Sequence, residues 1–294
     1  MKKIVIHIGF PKTGSTLLQS FFDAHPSIHH NRSRFKNYVA TGKITEEIIE
    51  ELEEGEQIDV LSDELLSIWS GAKNTDLETY NLDYDIEDQQ RKTAEGLKEL
   101  FPNANVLIIT RGYQSLFSSL YSQYLLTGGT KTIRKFQPEC ESQIIRLYNY
   151  NRVIEIYEEV FSAEQVSIMP FEALVEDPNF FLIQLERELG VENINYASSI
   201  VHGSIAKYLI FSIRITNKLY KKYLSIFHKQ TAHSKLEKYL EKVHHFKDSN
   251  FAKVFNGKKK KLVLSEAFVK QFSLNSSKLE GLERYNSYIS KYRM

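Results

Sequence analysis

Cysteine is almost missing from this 294-residue chain: Cys140 stands alone, so no internal disulfide can form. A single thiol among polar residues offers no metal cluster, and no His/Cys/Asp group has metal-ligand spacing, so no metal is expected. Long apolar runs are absent too. Nothing approaches the roughly 20 residues that a membrane-crossing helix needs. Met1-Lys-Lys leads straight into a strand-like run, without the pattern of a cleavable leader. Together with the lone cysteine, this fits a reducing, cytoplasmic setting. Internal repeats are lacking, and the one low-complexity stretch is Lys258-Lys-Lys-Lys261.

Charge of one sign is scarce locally rather than overall. The formal net charge is +1, yet Thr41 to Leu100 carries 18 acidic and 5 basic side chains. Val201 to Met294 carries 20 basic and 6 acidic ones. Solvated helical faces are the plain reading. The alternative is that the basic C-terminal region meets an anionic surface: a charged glycan, lipid headgroups or a nucleotide. No nucleic-acid partner is expected.

What is present begins at the N-terminus. Lys3-Ile-Val-Ile-His-Ile-Gly9 reads as a buried strand, and Leu17, Leu18, Phe21 and Phe22 follow at helical spacing. Between them lies Phe10-Pro-Lys-Thr-Gly-Ser-Thr16. A strand, a short loop and a helix start aim backbone N–H groups and the positive helix end at one point, where Lys12 adds an ammonium. This is a phosphate site in outline. Glycines five apart followed by Ser/Thr match a nucleoside-triphosphate loop, but Ser15 replaces the lysine expected after Gly14. The cation sits inside the loop instead, which weakens an ATP reading.

Pro11-Lys-Thr-Gly-Ser-Thr-Leu17 resembles, at every position, the first signature of the PAPS-dependent sulfotransferases (PAPS is 3′-phosphoadenosine 5′-phosphosulfate). The resemblance implies that the amides of Thr13, Gly14, Ser15 and Thr16, with the Ser15 and Thr16 hydroxyls, hold the 5′-phosphate. Lys12 would reach the oxygen bridging phosphorus and sulfur. A second segment, Asn105-Val-Leu-Ile-Ile-Thr-Arg111, is a β-branched run ending in a cation, followed by a helical pattern through Leu116 and Leu120. In the family an arginine ends this strand, and a serine eight positions on joins it around the 3′-phosphate. Arg111 and Ser119 have that spacing, and a guanidinium fork suits a phosphate. Here Gly112-Tyr113 replaces the family's Asp-Pro. A third stretch, Met169-Pro-Phe-Glu-Ala-Leu-Val-Glu-Asp-Pro178, resembles the family's structural strand and closing helix.

Strands expected at 3–10, 59–62, 105–110 and 165–169 alternate with helices at 14–24, 86–100, 113–126, 142–160 and 178–189. That pattern predicts an α/β fold, a P-loop-like parallel sheet flanked by helices, with a helical basic C-terminal region. The expected organisation is a PAPS-binding core over 1–200, with 201–294 completing the acceptor side of the same domain. Residues 127–138 read as a loop beside the cleft. On a helix over 204–224, Lys207, Arg214, Lys218, Lys221 and Lys222 share one side, and Ile205, Leu209, Ile215, Leu219 and Tyr223 another. Gly257-Lys-Lys-Lys-Lys261 reads as a solvated turn, or, by its resemblance to a basic Gly-containing segment in the cytosolic branch of the family, as a cover for the 3′-phosphate.

The expected function is transfer of sulfonate from PAPS to a hydroxyl, on a carbohydrate or glycolipid acceptor, without a metal. The alternatives are a nucleotide or small-molecule kinase with a variant loop and a PAPS-binding protein without turnover. Lys12 and Glu64 are the catalytic candidates. Glu64 follows a strand's carboxyl end and would accept the acceptor's proton, with Asp63, His25, His29 and His30 in reserve. A carboxylate at a helix start is its structural alternative.

Overall fold

Alternation along the apolar runs gives every strand two buried faces. In the computed structural model, which describes residues 3–31, 57–67, 85–194, 196, 207–227, 232–248 and 264–293, five strands pair in parallel. They are β1 (Ile4–Ile8), β2 (Ile28–Asn31), β3 (Ile58–Asp63), β4 (Asn105–Thr110) and β5 (Val166–Pro170), in the order β2-β3-β1-β4-β5. Ile6, Ile8, Leu61, Val106 and Ile108 face one core, and Val5, Val60, Leu107 and Ile109 the other.

Helices cover both faces. On one lie α1 (Ser15–Ala24), α6 (Phe171–Glu176) and α7 (Pro178–Leu189), burying Leu18, Phe21, Phe22, Leu174 and Leu185. On the other lie α2 (Ile86–Leu100), α3 (Tyr113–Leu126), α4 (Ile133–Leu147) and α5 (Tyr150–Phe161). Because α2 leads into β4 and α5 into β5, both helices start at the carboxyl edge of the sheet. Ligands of such sheets bind there.

Two expectations over the middle of the chain need correction. Residues 133–138 are not loop but the first turns of α4, which runs through Pro138. Phe136, Cys140, Ile144 and Leu147 share one buried face of it, and that burial outweighs the N–H proline removes. The single helix expected over 142–160 is two, because Asn149 Oδ1 accepts the N–H of Arg152 at 3.3 Å and starts α5 afresh. The four-residue strand β2 was not anticipated.

The C-terminal part supplies α8 (Lys207–Phe227), α9 (Ala232–Asp248), α10 (Glu266–Leu274) and short 3₁₀ turns to Lys291. Phe268, Phe272, Tyr285 and Tyr292 are fully buried in the same core as Ile6 and Ile108. The tail is therefore part of the sheet's own core, not an appendage. Among the described residues no helix is long and apolar enough to cross a membrane. The Lys258–Lys261 run lies outside the described residues.

Candidate functional site

The loop after β1 turns on two left-handed residues, Lys12 at φ 67° and Gly14 at φ 90°. A Cβ on Gly14 would lie 2.9 Å from the Phe171 ring and 3.0 Å from Leu174. Only glycine meets both demands. Lysine at positive φ is uncommon, and such backbone gathers at ligand-binding turns. Thr13 is buried, and its hydroxyl donates to Phe10 O at 2.8 Å, closing the loop on itself. No side chain caps α1, so the first N–H groups of that helix, at Ser15 and Thr16, keep their hydrogens for an outside acceptor. Ser15 Oγ is buried at the same place and has no hydrogen-bond partner among the described residues. An uncapped helix start beside an unsatisfied hydroxyl is a cradle for an anion.

Arg111 follows β4 and reaches the same loop. Its Nη1 donates to the carbonyl of Lys12, its Nε donates to Ser115 Oγ at 2.9 Å, and its guanidinium stacks on Phe171 at 4.2 Å. Nη2 has no hydrogen-bond partner among the described residues. Burial lowers the guanidinium's pKa, and the Glu172 carboxylate opposes that shift. Ser119 lies one turn beyond Ser115 on the same face of α3 and is half-buried; no bond joins it to Arg111. One turn further on, Gln123 Oε1 accepts from Lys12 Nζ at 2.8 Å. Ser115, Ser119 and Gln123 thus form one polar stripe facing the loop. Gln123 went unnoticed in the sequence, although its i+4 spacing from Ser119 was there to find.

Three buried tyrosines fix the end of β4. Tyr150 Oη accepts from the N–H of Arg111 at 2.9 Å and donates to its carbonyl at 3.1 Å. Thr110 Oγ1 bonds the hydroxyls of Tyr285 and Tyr292 at 2.7 and 2.8 Å. Tyr292 also donates to Glu172 at 2.8 Å, and Glu172 accepts the N–H of Gly112 at 2.9 Å. Gly112 has a reason of its own: a Cβ there would lie 2.6 Å from the carbonyl of Lys291. The C-terminal turn therefore occupies the space that the family's Asp-Pro would need.

The base candidates separate by position. Asp63 ends β3, buried, beside Ile8 in the sheet. Glu64 opens a single 3₁₀ turn to Ser67, and its side chain lies outside the described residues. His25 caps the far end of α1, a ten-residue helix about 15 Å long. His29 and His30 pair in register with Asp59 and Val60, three to four rows (roughly 10–13 Å) before Asp63. Bonds to Glu192 O, Asp59 and Asp23 hold the three histidines there. None of these three partners belongs to the loop.

His7, two residues before the loop, was not anticipated as a buried titratable group. Its Nδ1 shares a 2.8 Å hydrogen bond with Ser62 Oγ. Burial, with His30 nearby adding to it, pulls its pKa to about 3. The unfolded chain takes up a proton near 6.5, so this group's contribution is complete above that pH and lost as pH falls toward 3. Acidification from pH 6.5 to 4.5 should cost about 2 kcal/mol through this residue alone. Urea titrations over that range should show the loss in the wild type, and His7→Gln should flatten the slope. An unchanged slope in the variant would show that other groups carry it.

A cavity of about 440 Å³ opens at the same edge, between the starts of α2 and α5 and the end of α4. Its walls bring Asp85, Glu87 and Asp88 against Arg91, Arg146 and Arg152. Arg152 pairs with Glu87 at 2.5 Å, Arg91 with Glu159 at 2.6 Å and Arg146 with Asp85 at 3.4 Å. Two links tie this cavity to the loop. Gln90 in its wall donates to Ser67 O at 3.2 Å, and Ser67 donates to Gly9 O at 2.8 Å. Tyr148, next to the lining residue Asn149, donates to Pro11 O at 2.9 Å.

A family model described as "Sulfotransferase family" matches residues 4–195. Among solved structures, a sulfotransferase from Alicyclobacillus acidocaldarius aligns at TM-score 0.51 and 15% identity, covering 78% of this chain and 96% of that one. A sulfotransferase domain from the curacin biosynthetic pathway aligns at TM-score 0.41 and 16% identity, over 69% and 81%. At these identities the first likeness speaks for the fold alone. No curated protein sequence matches the chain.

Proposed function

The chain belongs to the sulfotransferase family, and from that premise we propose that it moves the sulfonate group of PAPS to a hydroxyl on a carbohydrate or glycolipid. The observation that carries this reading is the convergence on one loop of an uncapped helix start, the unsatisfied Ser15 hydroxyl, Lys12 and Arg111. The amides of Gly14 to Thr16 and the Ser15 and Thr16 hydroxyls hold the 5′-phosphate, while the Thr13 N–H stays on Phe10 O at 3.3 Å. Arg111, through the nitrogen it does not use on the loop, holds the 3′-phosphate with Ser119. In the transfer the acceptor oxygen bonds sulfur as the bond from sulfur to the bridging oxygen breaks. Lys12 leaves Gln123 to meet the charge that grows on that oxygen, and the acceptor's proton passes to Glu64. Adenosine 3′,5′-bisphosphate leaves.

The acceptor side is read from the cavity over Gln90 and Asn149. Three carboxylates against three guanidiniums leave no net charge, and each guanidinium already has a carboxylate within ion-pair distance. Such a lining offers many hydrogen bonds and little attraction for an anion, which suits neutral hydroxyls. The 201–294 region completes this domain from the C-terminal side. The setting proposed is cytoplasmic.

Nucleotide binding tests the donor assignment. A 3′-phosphate held by Arg111 is worth about 1.5–3 kcal/mol for each charge-assisted bond, so adenosine 3′,5′-bisphosphate should bind at least about tenfold tighter than AMP. Calorimetry on Arg111→Ala should find most of that difference gone. Because Arg111 also braces the loop, Ser119→Ala is the second variant, and it should narrow the difference without lowering the melting temperature. Equal affinities for the two nucleotides in the wild type would defeat the assignment.

A further inference from the structure

Helix α8 carries a face that the transferase reading does not use. Its inner side is pinned: Ile213, Asn217 and Leu224 are buried. Asn217 Nδ2 donates to the carbonyls of Leu125 and Gly129 at 2.8 and 2.9 Å, and its Oδ1 accepts from Tyr239 at 2.9 Å. That grip fixes the helix's rotation. It turns Phe211, Ile215, Leu219, Tyr223 and Ile226 outward, and Phe211, Leu219 and Ile226 are 60%, 64% and 57% exposed. Steps of four and three residues place these side chains in one stripe, about 22 Å long at 1.5 Å per residue.

The charges beside the stripe are all of one sign. At about 100° per residue, Arg214, Lys218, Lys221 and Lys222 run along one border of it, and the helix has no Asp or Glu anywhere. An apolar stripe edged by cations, too polar to cross a bilayer, is the composition of a helix that lies in a membrane surface. Isolated exposed apolar side chains are ordinary, but five in register are not. A second copy of the chain suits this face poorly, since a two-fold contact would bring like-charged borders together.

We propose that α8 docks this protein on an anionic lipid bilayer, with the apolar stripe in the headgroup–acyl boundary and the four cations against anionic headgroups. Docking would hold the phosphate loop near the membrane surface. Asn217 grips the end of α3 at Leu125, two residues beyond Gln123, the partner of Lys12. The proposal goes beyond the transfer reaction and is tested without donor or acceptor, so either can fail alone.

The test is co-sedimentation of the full chain with phosphatidylcholine vesicles, with and without phosphatidylglycerol. The wild type should pellet with phosphatidylglycerol-containing vesicles and be released by salt. Lys218→Gln and Lys222→Gln should each weaken this binding about fivefold, the value of one cation near an anionic surface. Ile215→Asp with Leu219→Asp should abolish it, while Leu274→Asp, at an exposed apolar residue elsewhere, should leave it intact. Melting temperatures of the variants exclude unfolding. The proposal is overturned if the wild type ignores anionic vesicles, or if the stripe variant binds as the wild type does. It is equally overturned if light scattering finds a lipid-free dimer that the stripe variant dissolves.

Discussion

Replacing Lys12 with alanine should lower kcat for sulfonate transfer by about 10²–10³, the usual loss when one charge-stabilising donor is removed. Affinity for adenosine 3′,5′-bisphosphate should change far less. The reason is positional: Lys12 sits at φ 67° inside the loop with its ammonium on Gln123 rather than at the uncapped start of α1, the part of the proposed site that would hold the 5′-phosphate. A group whose interaction strengthens as the leaving oxygen gains charge acts on the transition state more than on the ground state. Steady-state kinetics with PAPS should therefore separate the two constants. A Lys12→Ala enzyme with normal kcat and only a raised donor KM would remove this role.

Glu64→Gln should have the other large effect. As the base it must be ionised in the working complex, and the amide keeps its shape but cannot take the proton; a positioned base is worth about 10²–10⁴ in rate. As a carboxylate at the start of the 3₁₀ turn it would instead contribute about 0.3–1 kcal/mol to stability. Rate and melting temperature measured on one preparation tell these apart. A near-normal rate with a lowered melting point would pass the role to Asp63, which shares the carboxyl edge with the loop, whereas the histidines at 25, 29 and 30 are held elsewhere.

Where local pattern and tertiary need agree, the sequence was legible. β4 and α3 have the boundaries expected of them because a β-branched run gives way to helical spacing at Gly112. The loop at 10–16 was legible for a stronger reason: a lysine, a glycine and three hydroxyl residues lie together where the strand pattern gives way to the helix pattern. What escaped notice depends on distant partners. β2, with two histidines among four residues, has no strand pattern and exists because β3 offers it a ladder. The tyrosines at 285 and 292 lie in a Ser/Asn/Tyr-rich tail without periodicity, yet they close on Thr110, 175 and 182 residues earlier. The departure at Gly112 became intelligible only once Lys291 was seen against it. Sequence pattern reported the strand–loop–helix turn after β1 well, and the brace around Arg111 hardly at all.

Donor chemistry is the centre of this account, and one assay meets it directly. The full chain is incubated with PAPS, a panel of hydroxyl-bearing carbohydrates and glycolipids, and excess EDTA, and release of adenosine 3′,5′-bisphosphate is followed alongside sulfated product. Both should form in equal amounts, unaffected by EDTA, and both should be lost in the Lys12→Ala chain. PAPS left intact, with ATP consumed instead once magnesium is restored, would contradict it.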